Sequence, residues 1–465
     1  MLASRIATIL LCFACLASAE VHSLTLQQVL ELAARQNPDV TLARLDQQRA
    51  EEGIKIALDP FRPKVYGGSG LAYTYGYPNS IEGNAPSLFE VRTDMALYNR
   101  PKSYEVAAAR ENARGSRFGA QAKVDDVAYQ AADLFLTVSQ FEHQSSTITS
   151  QLPSLQKVID TTAAAVNEGS QLPVDLKRAR VDLAMSQQQL EVANLDGDYY
   201  AMMLAIVLGY PATDRVKPVE SDFASILTPP TEDVAADTAV RNNRELSQMQ
   251  SNVLAKELEI RSFKAERLPK VNLVAQYALF AKYNYEQYFQ KFQHNNFQLG
   301  ASVTLPIFIG SAPRGYIEQA YTDLQKIRIQ MDQTRNRILS ETRRGYEQWK
   351  KAERIRDLAF LQLDLAREQL SVLLAQNNEG HALLSDVERA RLDEGNKWIA
   401  WYDAETQVAR AKFAILRETG NLLAAVLKQQ GPAKPELPPL RKLRQKTFPH
   451  RLRRPAFLQS KFAIS

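Results

Sequence analysis

Apolar positions in this chain recur in alternating steps of three and four. Leu152, Leu155, Ile159, Thr162 and Val166 make one such seam, and after a break at Gly169–Pro173 it resumes. The continuation is Leu176, Ala179, Leu183, Ser186, Leu190, Ala193, Gly197, Tyr200, Leu204 and Val207. A second set runs through Leu358, Leu361, Leu365, Glu368, Val372 and Ala375, then from Leu383 through Val387, Ala390, Trp401, Ala404, Val408, Ala411, Ile415 and Leu422. Seams of this spacing predict long, packed helices. Proline is absent from about Ser103 to Val166 and from about Gly315 to Gln376 except at Pro153, which is expected to kink or offset its helix. A helix of roughly 60 residues is about 90 Å long, which points to a bundle or tube. Polar interruptions such as Ser186, Glu368, Glu394 and Lys397 suit a lattice of side-by-side helices better than one dry coiled coil.

Between the helical stretches the period changes to two. Leu71, Tyr73, Tyr75 and Tyr77 alternate with small residues, and Phe89, Val91, Thr93, Met95 and Leu97 alternate with Glu90, Arg92 and Asp94. Val271, Leu273, Ala275, Tyr277 and Leu279 form a third set. Phe297, Leu299, Ala301, Val303 and Leu305 form a fourth, interleaved with Gln298, Gly300, Ser302 and Thr304. These predict two hairpins, with strands at about 64–77 and 88–98 and at about 271–285 and 296–308. Strands of about ten residues with one apolar and one polar face have the length and pattern of a membrane-spanning β-strand. Tyr283, Tyr285, Tyr288, Phe280 and Phe289 gather at their ends, as an interfacial girdle requires. An ordinary half-buried hairpin of a soluble domain is the plainer alternative.

The pattern occurs twice. Asn167-Glu168-Gly169 leads to Asp175 and Arg178, and Asn378-Glu379-Gly380 leads to Asp386 and Arg389, 211 residues later. Gly209 and Gly420 keep that offset. Asn37-Pro38 and Asn243-Arg244 approach the hairpins, Pro63 and Pro269 stand at the strand starts, and Tyr98-Asn99-Arg100 and Pro306-Ile307-Phe308-Ile309-Gly310 follow them. The chain therefore divides into a first repeat (20–209), a linker (210–232) and a second repeat (233–430). Each repeat reads helix, hairpin, long helix, tight turn, long helix. A repeat of this length is no solenoid; it is how a pseudo-symmetric ring is made.

Composition then adjusts this picture at the two ends. Residues 1–19 read as a secretory signal, with Arg5, an apolar stretch from Ile6 to Ala17 and Ala17-Ser18-Ala19 before Glu20. A short membrane anchor is the competing reading, but the run is below the roughly 18–20 residues of a spanning helix. Both cysteines, Cys12 and Cys15, lie inside it, so the remaining chain has no thiol chemistry. At the other end, residues 431–465 carry nine Lys/Arg and one acid among six prolines and read as a disordered basic tail. Without that tail and Arg5 the chain holds 47 basic and 51 acidic residues, so its basic pI does not indicate nucleic-acid binding. The five histidines (His22, His143, His294, His381, His450) show no ligand spacing, and no phosphate loop or nucleophile motif appears. No enzyme, cofactor or metal site is expected.

Four strands cannot close a membrane barrel, which needs about eight, and an open sheet edge in lipid costs several kcal/mol per unpaired group. If these strands meet lipid, protomers must pool them; two chains give eight strands and three give twelve. Taken in order, the duplicated motifs (Asn37-Pro38, Pro63 and Pro269, Leu305-Pro306-Ile307-Phe308-x-Gly310, Gly169/Asp175, Gly380/Asp386 and Leu208-Gly209-Tyr210-Pro211) resemble the TolC-like outer-membrane efflux and secretion channels from Leu24 to about Leu427. The resemblance implies a mainly α fold with a small β part, assembled as a homotrimer. A twelve-stranded barrel in the outer membrane would continue into a periplasmic α-helical barrel, girdled by the N-terminal, linker and C-terminal segments. It also implies an exit duct working with a periplasmic adaptor and an inner-membrane transporter of the RND or ABC type, for efflux or type I secretion. A soluble periplasmic coiled-coil scaffold is the alternative from another class.

Within that resemblance Asp175, Arg178, Asp386 and Arg389 are the candidate gate. Leu172 and Pro173, with Ala382 and Leu383, are candidate adaptor contacts beside Gly169 and Gly380. Helix capping is the favoured role for the aspartates, and it is compatible with a part in gating. Arg389 stands where the family often has a further acid, and Ala96 and Arg100 stand where the second repeat has Pro306 and Gly310.

Overall fold

The computed structural model describes residues 20–70, 87–219, 231–280 and 294–427. The signal segment, Leu71–Tyr77 of the first strand, Tyr283–Phe289 of the aromatic girdle, the middle of the linker and the basic tail lie outside the described residues.

The first repeat begins with β1 (Val21–Leu24), α1 (Leu26–Gln36) and α2 (Pro38–Leu58). It continues with β2 (Lys64–Gly68), β3 (Ser87–Tyr98), α3 (Arg100–Asn167) and α4 (Pro173–Val207). A short strand β4 (Arg215–Pro218) lies in the linker. The second repeat comprises α5 (Glu232–Asn242), α6 (Arg244–Ala265), β5 (Lys270–Phe280), β6 (Asn295–Thr304), α7 (Ala312–Asn378), α8 (Leu384–Glu418) and α9 (Leu422–Leu427). The two repeats match closely: α3 and α7 have 68 and 67 residues, and α4 and α8 have 35 each. At 1.5 Å per residue the longer pair reach about 100 Å.

Local chemistry explains where these helices begin and end. Asn37 Oδ1 accepts from the Asp39 and Val40 amides at 2.8 and 3.2 Å to cap α2, and Asn243 Oδ1 accepts from Leu246 at 3.0 Å to cap α6. These are the paired asparagines of the duplicated approaches. Gly209 and Gly420 end α4 and α8 with φ of +84° and +67°. The amides that follow reach back, Tyr210 N to Ala205 O and Asn421 N to Leu416 O, both at 2.9 Å. That is the Schellman closure of a helix end. Pro153 does not end α3, which runs through it to Asn167.

Side by side, the long helices stand in the order α4, α3, α8, α7, with α2 and α6 against α3 and with α5 and α6 against α7. The largest core lies where α1, α9 and β4 pack on the middle of α3 and the ends of α4 and α8. Leu30, Phe135, Leu136, Leu204, Leu208 and Phe413 are fully buried there. This is the girdle of terminal and linker segments, pinned further by a feature the linker's composition did not suggest. β1 and β4 pair in parallel, Val21 with Arg215 through Leu24 with Pro218. His22 stacks on Tyr210 at 4.2 Å, and its Nε2 lies 3.2 Å from Asp214 Oδ2.

The remaining strands form one antiparallel sheet, β2-β3-β5-β6, in which the two hairpins are direct neighbours. Its register places Val91 opposite Tyr277 and Tyr277 opposite Phe297, then Thr93, Ala275 and Leu299, and then Met95, Leu273 and Ala301 in the next rows of the same face. The three alternating sets within the described residues thereby share one apolar face, while Arg92, Gln276 and Gln298 line up on the other. The apolar face is bare: Phe297 and Leu299 are 70% and 65% exposed. β6 ends at Thr304, short of the expected Phe308, because Pro306 has no amide to continue the ladder. Both edges of the sheet, on β2 and β6, are unpaired among the described residues. Among the described residues no helix is long and apolar enough to cross a membrane.

One predicted seam faces outward. Leu358, Leu361, Leu365 and Val372 on α7 are exposed, whereas the neighbouring stripe of Ala352, Ala359, Leu363 and Ala366 is buried. On α4, at the opposite side of the four-helix layer, Val174, Val181, Met185, Val192, Leu195 and Tyr199 are exposed at heptad-like steps.

Candidate functional site

The two helical hairpins end in turns of the same construction. Gly169 and Gly380 adopt φ of +73° and +79°. Ser170 N bonds Ala165 O at 2.9 Å and Gly169 N bonds Val166 O at 3.1 Å, while His381 N bonds Gln376 O at 2.8 Å and Gly380 N bonds Asn377 O at 3.0 Å. A Cβ on either glycine would meet open space, so glycine is needed there for its backbone freedom alone. Leu172 and Leu383, both well exposed, then take extended backbone as the residues before α4 and α8. Pro173 opens α4, where its missing amide costs nothing.

Asp175 and Asp386 stand three residues into their turns. The Asp175 carboxylate accepts from the Leu172 amide at 3.3 Å. Each aspartate pairs with the arginine of its own helix, Asp175–Arg178 at 3.9 Å and Asp386–Arg389 at 3.8 Å. The backbone asymmetry of a helix start favours the negative charge in both places. The structure therefore gives the four charged residues a local role, and both arginines remain largely in solvent. Ala382 contributes through its carbonyl, which accepts from Asn377 Nδ2 at 2.8 Å. At the other end of the long helices, Pro63 and Pro269 immediately precede β2 and β5, and Gly310 (φ +71°) turns the chain into α7.

A second set of polar residues lies just above the turns, where α8 packs on α3, and periodicity did not single it out. Glu388 is 1% exposed and pairs with Arg391 at 3.3 Å. Arg391 also reaches Ser154 Oγ on α3 at 3.3 Å, and the buried Gln151 amide abuts Gly395. The available signal was a departure between the repeats: at the offset of 211, Glu388 corresponds to Lys177, which is exposed.

Among the described residues no group of acids and histidines could hold a metal ion. Among the described residues of the turns the arrangement is one of exposed surfaces, helix ends and ion pairs.

Residues 235–421 match the family model described as outer membrane efflux protein. The outer membrane efflux protein BepC of Brucella suis is 21% identical over 404 residues, covering 86% of each chain. The CmeC outer membrane channel of Campylobacter jejuni superposes with a TM-score of 0.69 over 85% of this chain and 86% of its own, at 15% identity. The open state of the Neisseria gonorrhoeae MtrE outer membrane channel does so with a TM-score of 0.67 over 86% and 89%, at 14% identity. These likenesses do not favour the soluble scaffold. The second repeat is thus similar in sequence to outer membrane efflux proteins, and the described residues share the fold of outer-membrane channels.

Proposed function

We propose that this chain is the outer-membrane exit duct of a tripartite efflux or type I secretion machine. It passively conducts substrates handed on by a periplasmic adaptor and an inner-membrane transporter of the RND or ABC type. The observation that carries this reading is the four-stranded sheet with a largely exposed apolar face and, among the described residues, two open edges. In water such a face is a liability, and in lipid such edges are forbidden unless neighbours complete them. A homotrimer supplies twelve strands, embedded in outer-membrane lipid.

The exposed apolar seams of α4 and α7 support the same assembly. They flank the helical layer on opposite sides, so each can meet the other on the next copy around a ring. Leu195 and Leu361 stand at similar heights: Asn194 meets Ser145 on α3, His143 on α3 meets Tyr402 on α8, and the adjoining Trp401 meets Phe360 on α7. With both replaced by cysteine in the otherwise thiol-free mature chain, mild oxidation is expected to yield cross-linked dimers and trimers. A product that stays monomeric would exclude this interface.

At the periplasmic tips, Asp175, Arg178, Asp386 and Arg389 brace the closed constriction, while Leu172, Pro173, Ala382 and Leu383 present the adaptor contact. Opening moves one helix pair outward about the Gly169 and Gly380 turns. Replacing Asp386 and Arg389 with alanine is expected to raise single-channel conductance in planar bilayers. Unchanged conductance would leave these residues with capping alone.

A further inference from the structure

One helical turn beyond Gly395 the contact between α3 and α8 opens into a cleft of about 330 Å³. Its α8 wall is aromatic: the Trp398 and Trp401 rings are 4.9 Å apart at 57°, and Tyr402 follows directly. From α3, His143 lies 3.8 Å from the Tyr402 ring, and Ser139 Oγ holds the Tyr402 hydroxyl at 2.9 Å. Tyr402 is thus held in place by α3. Asp403 and Glu405 add two carboxylates to the lining, and Gln140 donates a hydrogen bond to Asp403. Two of the three tryptophans of the whole chain stand here.

An aromatic cluster that serves only to pack helices fills the space between them. This one borders an open cavity of the size that takes a small organic molecule. Aromatic ring faces carry the negative end of the quadrupole and attract cations, most strongly when water is excluded. The chain itself uses one of these faces so: the Arg367 guanidinium on α7 lies 5.5 Å from the Trp398 ring centre. Arg410 acts on Asp403 from the side of the helix interface, where it pairs with Asp133 at 2.9 Å. The carboxylates near the rings add a directional preference for positive charge; burial raises the Asp403 carboxyl above its ordinary value, a desolvation cost that a cation in the cleft would offset.

We propose that the cleft between α3 and α8 is a binding site for bulky organic monocations, of the quaternary ammonium or phosphonium class, held by Trp398, Trp401 and Tyr402 with Asp403 as counter-charge. The site is complete within one chain. Its use as a resting place for cationic cargo in transit rests on the conduit reading; its existence does not.

The test is a tryptophan-fluorescence titration of the purified full chain in a non-ionic detergent. Tetraphenylphosphonium is compared with tetraphenylborate, an ion of the same shape and opposite charge. Saturable quenching by the cation is expected, with an apparent affinity at least tenfold above that for the anion. Trp401→Ala should weaken cation binding tenfold or more, whereas Trp349→Phe should leave it unchanged. Equal responses to the two ions, quenching without saturation, or full affinity in Trp401→Ala would overturn the proposal. Should Trp401→Ala fail to fold, Asp403→Asn decides: the cation-to-anion preference should fall at least threefold, and an unchanged preference overturns the assignment. Conductance is not measured, so a negative result would leave the duct intact and remove only the site.

Discussion

The side-chain amide of Gln151 on α3 occupies the space that a Cβ at position 395 of α8 would need; that Cβ would lie 3.0 Å from Gln151 Cδ and closer still to Nε2. The two long hairpins therefore touch through a glycine, beside the buried Glu388–Arg391 pair. Gly395→Ala is expected to destabilise the α3–α8 contact by about 1–3 kcal/mol, as overpacking does. Adding Gln151→Ala should recover most of the loss. Thermal melts of the two single variants and the double variant check this, and strictly additive effects would show that the residues do not meet.

The positive-φ glycines separate a backbone cost from a steric one. At Gly380 a Cβ meets nothing within 4 Å, whereas at Gly209 it would lie 2.9 Å from the Gln36 carbonyl oxygen. Gly380→Ala should cost about 1–2 kcal/mol for the left-handed conformation. Gly209→Ala should cost a further 1–3 kcal/mol, roughly, for the clash. Chemical denaturation of both variants reads the difference, and equal losses would refute it.

Asn37 and Asn243 occupy equivalent helix starts with unequal duties. Asn37 is buried, and its Nδ2 also donates to the Val207 carbonyl at 2.8 Å, tying the start of α2 to the end of α4. Asn243→Ala should lose about 1 kcal/mol of capping. Asn37→Ala should lose the cap and also strand a buried carbonyl, for about 2–4 kcal/mol in all. Melting temperatures in the opposite order would contradict this.

Burial raises the Glu418 carboxyl above its ordinary value, and the neighbouring Glu341 adds to the shift against the opposing effects of Arg417 and Arg337. The native chain therefore holds this proton to a higher pH than the unfolded chain does. Its contribution to stability is present below the ordinary carboxylate pKa and is lost as pH rises through the raised value. Glu418→Gln should thus gain on the parent as pH increases through that window and be the more stable at neutrality. Melts across the acid range test the sign; a gap that narrows with rising pH would refute the assignment.

The chain showed its long helices and hairpins openly because each rests on a repeated physical pattern. The alternating strands converge on one face of the sheet because a period of two admits no other outcome once the register is set. Gly169 and Gly380 were legible because few residues other than glycine end a helix in this way. Three things were less legible. Strands of four residues, Val21–Leu24 and Arg215–Pro218, are too short to show a period, and each finds its partner almost two hundred positions away. Periodicity marked Leu358, Leu361 and Leu365 as a seam but could not say whether its partner lay in the same chain; the structure leaves that seam outside. Glu388 sits at an interface that the apolar pattern identifies through its neighbour Val387, while the carboxylate itself reads as surface.

The stitch between β1 and β4 has a temporal consequence. The Glu20 carbonyl accepts from the Arg215 amide at 3.0 Å, and the Glu20 amide donates to Asp214 at 3.4 Å. A polypeptide threaded across a membrane amino end first cannot close this seam until nearly two hundred residues have followed. Throughout that interval the β1 backbone stands bare, as a sticky margin that an exported chain must keep away from its neighbours.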